Sequence, residues 1–135
     1  MLDLLDRLPP QFRTVCYDGA RVPDGDHDLS HGSNCQRYAY TVLAQFGIAL
    51  PPWYSSELWG DAELTHRVSE FEPLDLLLFS RDGESFGAHV AVYAGESRAL
   101  HLSKSVGHPV VWTLTQFVER PEYRVLVGGK RALRG

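Results

Sequence analysis

The sequence predicts an α+β domain in which helices come first and pack on a largely antiparallel sheet of about five strands. Three observations carry this. Apolar residues from Tyr38 to Phe46 recur at helical spacing. After Glu72-Pro73 the pattern changes to short apolar runs, punctuated by Gly83, Gly87, Gly95, Gly107 and Gly128. The runs are joined by links of hairpin length. Helices followed by closely linked strands is the order of an α+β domain, not of alternating βα units.

The elements follow in order. Leu2 to Arg13 has room for a short helix, broken at Pro9-Pro10. Tyr17 to Ser33 is rich in Asp, Gly, Pro, Ser and His and reads as a long loop, a feature often tied to function. The best-defined helix begins next. Ser33 or Asn34 can cap it, because a short side-chain oxygen there accepts from an unpaired backbone N–H. Tyr38, Ala39, Val42, Leu43 and Phe46 form its buried face. Gly47 suits a left-handed C-cap and Pro51-Pro52 bars continuation. Ser55 to Val68 reads as one or two short helices. Strands are expected at 74–80, 88–94, 98–102, 109–113 and 123–127. The basic run from Gly129 to Gly135 reads as a solvated tail. The whole chain, 1–135, reads as one domain, with an N-terminal helix and loop over 1–30 and a core over 31–128.

Composition narrows the function classes. With 135 residues, 44% hydrophobic and 22% charged, the chain can bury a real core and is not disordered. A formal net charge of -4 argues against nucleic-acid binding, which leaves a basic footprint. The first residues, Met1-Leu2-Asp3-Leu4-Leu5-Asp6-Arg7, carry acids where a signal peptide needs positive charge. No stretch approaches the ~20 apolar residues of a membrane helix. Both point to a cytoplasmic protein with no membrane span. The two cysteines, Cys16 and Cys35, do not make a disulfide framework and are expected as free thiols.

Cys35 falls in the first turn of the predicted helix. Unpaired N–H groups and the helix dipole there favour an anion. A thiol so placed can have its pKa lowered from about 8.5 to roughly 3.5–7.5. That suits a nucleophile, and the same N–H groups could stabilise an oxyanion. The plain alternative is a buried, inert cysteine. Of six histidines, His89 opens the apolar run Ala88 to Tyr93 and His101 lies in the next, Ala99 to Leu102. A hairpin through Gly95 would bring the two together. His89 would then be the base and His101 its orienting partner.

Four segments resemble one family. The run Asn34-Cys35-Gln36-Arg37 through Gly47-Ile48-Ala49-Leu50-Pro51 looks like the nucleophile helix of the NlpC/P60 family of papain-like cysteine peptidases. Pro73-Leu74-Asp75 resembles that family's Pro-Gly-Asp before its first strand. Ala88-His89-Val90-Ala91-Val92-Tyr93 resembles its His-bearing strand, and Leu100-His101-Leu102-Ser103 the segment of its third catalytic residue. The resemblance implies a papain-like NlpC/P60 core. It implies Cys35 as nucleophile, His89 as general base and His101 as orienting residue. It also implies hydrolysis of an amide in a peptidoglycan-type peptide, with no cofactor. Tyr17 matches the family's upstream Tyr. Candidate substrate-binding residues are Tyr17, His31, Ser55, Ser56 and Trp112. The departures are Asn34-Cys35-Gln36-Arg37 for Asp-Cys-Ser-Gly, and Leu74 for Gly.

Two other readings compete. His27, His31 and Cys35 are spaced i, i+4, i+8 and on one helix could bind zinc; Gly32 and the cap at Ser33-Asn34 argue for loop instead. Alternatively, Trp53, Tyr54, Trp59 and Trp112 could line the groove of a non-catalytic binding domain of the same fold.

Overall fold

The computed structural model of the chain describes residues 4–24 and 28–133. The predicted α+β architecture is present, with six strands rather than five. The helices are α1 (Gln11–Thr14), α2 (Cys35–Ala44), α3 (Ser55–Gly60) and α4 (Leu114–Val118). The strands are β1 (Thr65–Val68), β2 (Leu76–Ser80), β3 (His89–Gly95), β4 (Arg98–Leu102), β5 (Pro109–Thr113) and β6 (Val125–Ala132). Short 3-10 turns lie at Leu5–Arg7 and Pro121–Tyr123. One sheet has the order β1-β6-β2-β3-β4-β5, every pair antiparallel.

Helix α2 lies across β3 and β4. Its apolar face, Tyr38, Ala39, Val42 and Leu43, joins Leu76, Leu78, Val90, Val92, Leu100 and Leu102 in the larger core. The opposite face of the same strands, Leu77, Phe79, Ala91, Tyr93 and Ala99, packs on Phe117 and Tyr123. The central strand β3 is therefore buried on both sides. That is why its sequence is a continuous apolar run rather than an alternating one.

Three expectations need correction. Before Pro9-Pro10 there is only the 3-10 turn at Leu5–Arg7, and the single turn of α1 follows the prolines; Leu2 and Asp3 lie outside the described residues. The segment 55–68 is helical only to Gly60. Beyond it the Asp61 carboxylate accepts from the N–H groups of Leu64 (3.0 Å) and Thr65 (2.8 Å) and turns the chain into β1. Finally, the last strand spans Val125–Ala132, not 123–127, so the basic run is strand as far as Ala132 rather than solvated tail; Arg134 and Gly135 lie outside the described residues. Lys130 is only 1% exposed, and its ammonium donates to the carbonyls of Trp59 and Asp61. The Arg131 guanidinium grips the buried Asp75 carboxylate through two bonds of 2.8 and 2.9 Å.

Glycines make that last strand possible. A Cβ on Gly128 would sit 2.5 Å from the Trp59 ring, and one on Gly129 2.7 Å from the Phe71 ring. The two residues are flat strips on which aromatic rings lie, not strand breaks. Leu74 shows the converse. Its φ is +77°, a left-handed conformation that suits glycine, yet its side chain is buried in the larger core.

Candidate active site

The start of α2 is built by Asn34. Its backbone is extended (ψ 178°), and its Oδ1 accepts from the Arg37 N–H at 2.8 Å. Cys35 therefore occupies the first helical position, as the sequence predicts. The long loop before it is tethered from the helix itself. Arg37 is 1% exposed and its guanidinium donates to the Val22 carbonyl (3.0 Å), the Asp24 carboxylate (2.8 Å) and the Asp28 carbonyl (3.1 Å). Tyr17 pairs with Ser33 in an isolated parallel bridge, which brings its ring to the helix start.

His89 is the first residue of β3 and His101 lies within β4. Leu100 pairs with Val92 and Ala99 with Tyr93. By alternation, His89 and His101 then point to one face of the sheet, away from α2. A bulge between Tyr93 and Gly95 sets this register. The imidazoles meet at 2.8 Å, His89 Nε2 to His101 Nδ1, with rings near perpendicular. Tyr123 stacks on His89 at 4.4 Å, while Trp112 (4.3 Å) and Phe117 (4.4 Å) enclose His101.

Cys35 and His89 share one cavity of about 680 Å³, whose walls include Tyr17, Asn34, Gln36, Lys104, Ser105, Glu122 and Tyr123. Cys35 is half-buried in the wall of that cavity. Burial pushes the thiol up to about 11, against the backbone N–H groups of Val90, Gln36 and Cys35, which pull the other way. The lowered pKa expected from the helix start is thus overridden, because desolvation of a thiolate outweighs three N–H dipoles. Burial drives His89 down to about 3 and His101 to about 2, the latter with help from the His89 charge. The resting groups are a neutral thiol and two neutral imidazoles. With His89 Nε2–H donating to His101 Nδ1, the His101 proton resides on Nε2. That atom is buried and has no hydrogen-bond partner among the described residues.

The remaining candidates separate. Tyr17 reaches the cavity, and burial raises its phenol. His31 is exposed and lines a neighbouring depression of about 490 Å³ together with Cys16. Ser55 is buried: its hydroxyl donates to the Ser85 carbonyl (2.7 Å) and accepts from the Ala88 N–H (3.0 Å). It thereby fixes the segment entering His89. Ser56, its half-buried neighbour, is not part of the cavity wall. Trp112 lies behind His101, with the Arg120 guanidinium 4.6 Å from its ring.

The described residues do not form the single helical face that the zinc alternative needs. His31 precedes the Asn34 cap, so it is off the helix that Cys35 begins. His27 lies outside the described residues. Among the described residues no three His, Cys, Asp or Glu side chains could hold a metal. The aromatic groove fails too, since Trp59 packs on β6 under Arg67 and Trp112 on the opposite core with His101. Gln36, Lys104, Glu122 and Tyr123 were not singled out from the sequence. Only Gln36, next to Cys35, carried a local signal.

A helix laid on one antiparallel sheet, with a cysteine at its start and two histidines on adjacent strands, defines a known α+β class. No family model matches the chain, and no curated protein matches its sequence. Solved structures do match. A lipoprotein-like NLP/P60 family protein from Staphylococcus aureus subsp. aureus Mu50 aligns at TM-score 0.67 and 18% identity, over 99% of this chain and 42% of its own. An NlpC/P60 family protein from Bacillus cereus ATCC 10987 aligns at 0.59 and 21%, over 76% and 32%. The peptidoglycan hydrolase RipB from Mycobacterium tuberculosis aligns at 0.62 and 18%, over 99% and 65%. The chain thus spans between about a third and two thirds of the length of these proteins. Its fold is a divergent NlpC/P60 fold. Among the described residues, no helix is long and apolar enough to cross a membrane.

Proposed function

We propose that the chain hydrolyses an amide bond in a peptidoglycan-type peptide through an acyl-enzyme on Cys35. The observation that carries this reading is the cavity shared by Cys35 and His89, with His101 at 2.8 Å behind His89. Because His89 Nε2 is engaged by His101, Nδ1 is its working nitrogen. His89 accepts the thiol proton as the sulfur attacks the carbonyl carbon. The Cys35 N–H helps hold the resulting oxyanion. The C–N bond then breaks, and His89 returns the proton to the leaving amine. Water, deprotonated by His89, releases the acid and restores the thiol. Proton transfer concerted with attack fits a site whose burial keeps both partners neutral at rest. The substrate class rests on fold likeness to peptidoglycan hydrolases such as RipB. We also propose one domain over 1–135, located in the cytoplasm.

A short peptide carrying a vinyl sulfone tests the chemistry. Mass spectrometry should find the adduct on Cys35 in preference to the exposed Cys16, and His89→Ala should remove the preference. Slow, equal labelling would sink the enzyme reading in favour of a binding domain of the same fold. The raised thiol pKa is the observation on that side. Incubation with muropeptides, read by chromatography, tests the substrate class separately.

A further inference from the structure

Gln36 stands where the resembling family has Ser, and its side chain is held in one orientation by a chain of hydrogen bonds. The Arg37 N–H can only donate, so the Asn34 atom that meets it at 2.8 Å is Oδ1. That turns the Asn34 amide nitrogen toward Gln36, which it meets at 3.3 Å. The Gln36 atom at that contact must then be the acceptor, Oε1. Its NH2 group is left pointing elsewhere.

Gln36 is only 7% exposed and forms part of the wall of the cavity that holds Cys35. Its NH2 makes no hydrogen bond among the described residues, and it is not among the fully occluded, unpaired polar atoms. Gln36 lines the cavity, so we place the opening of its NH2 there. Two N–H donors in a mostly buried place, with no partner of their own, call for an acceptor from outside the chain. Lys104 and Glu122, on the same cavity, bring one charge of each sign, so the neutral Gln36 donors are not duplicated by a net positive wall.

We propose that Gln36 is a specificity-determining residue, donating to a carbonyl or carboxylate oxygen of the acyl group that Cys35 attacks. This rests on the reading of Cys35 as nucleophile. Asn34 acts through Gln36 as a positioning residue, by occupying the only Gln36 atom that could repel such an oxygen.

Alkylation of Cys35 tests this in a Cys16→Ser background. Three probes are used: iodoacetamide, with a carbonyl; iodoacetate, with a carboxylate; and methyl methanethiosulfonate, which transfers a methylthio group without a carbonyl. Rates are followed by mass spectrometry, and circular dichroism verifies folding. Gln36→Leu should slow both iodo reagents relative to the thiosulfonate, on the order of tenfold, as expected for one lost hydrogen bond at a buried site. Gln36→Glu replaces donors with charge at equal volume. It should slow iodoacetate further while iodoacetamide falls only to the Gln36→Leu level. Unchanged rate ratios in both variants would overturn the assignment of Gln36 alone. A Cys35 inert to all three reagents would overturn the nucleophile reading and this inference with it. If one variant fails to fold, the other still decides the ratio to the thiosulfonate.

Discussion

Lowering the pH from 7.5 to 5.0 should destabilise the fold, with His89 and His101 responsible. In the unfolded chain each imidazole titrates near 6.5; folded, burial holds them at about 3 and about 2. Between those limits the unfolded state binds more protons, so stability rises with pH and falls as acid is added. The slope is about 1.4 kcal/mol per pH unit for each group below pH 6.5. From 6.5 to 5.0 that amounts to about 2 kcal/mol each and about 4 kcal/mol together. A domain whose whole stability is of the order of 5–15 kcal/mol would lose a large share. Asp28 and Asp61 are shifted below their ordinary 3.8, so their stabilisation is lost only at more acid pH. Urea unfolding followed by tryptophan fluorescence at pH 7.5, 6.5, 5.75 and 5.0 measures the effect. A His89→Gln/His101→Gln double variant, which has nothing to protonate there, should show a much flatter profile. A wild-type midpoint that does not move between pH 7.5 and 5.0 would refute the argument, as would a double variant with the full slope.

The fold makes two further predictions. Gly129→Val places methyl groups where the Phe71 ring lies, since even a Cβ would come within 2.7 Å of it. It should cost about 1–3 kcal/mol by overpacking, seen as a lower melting temperature. Leu74→Gly should relieve a left-handed backbone worth roughly 1–2 kcal/mol but empty a buried leucine site worth about 2–5 kcal/mol. The net result in urea should be a loss of stability, although glycine suits the φ; a gain would mean that the backbone strain outweighs the packing.

Much of this molecule was legible from local pattern. The apolar stripe from Tyr38 to Leu43 and the Asn34 cap specify α2 within a dozen residues, because helix bonds and caps join near neighbours. Strands β2 to β5 were legible for a similar reason: each is a short apolar run, and turn residues follow β2, β3 and β4. The order Cys35, His89, His101 was also visible. What lay beyond reach depends on partners far along the chain. Thr65–Val68 is a strand only because Gly129–Ala132 lies beside it, and Lys130 and Arg131 are held in the fold by Trp59, Asp61 and Asp75. Neither half of those pairings signals the other.

The candidate site divides along the same line. The sequence by itself determined that a cysteine begins a capped helix and that two histidines follow on neighbouring strands. The tertiary structure decided that a bulge near Gly95 turns both imidazoles to one face, since a slip of one residue would send His101 to the other. It also decided the sign of the Cys35 shift. The dipole of a helix start is local and can be read from its cap, whereas desolvation is the sum of everything packed around the sulfur, and here the packing outweighs the dipole.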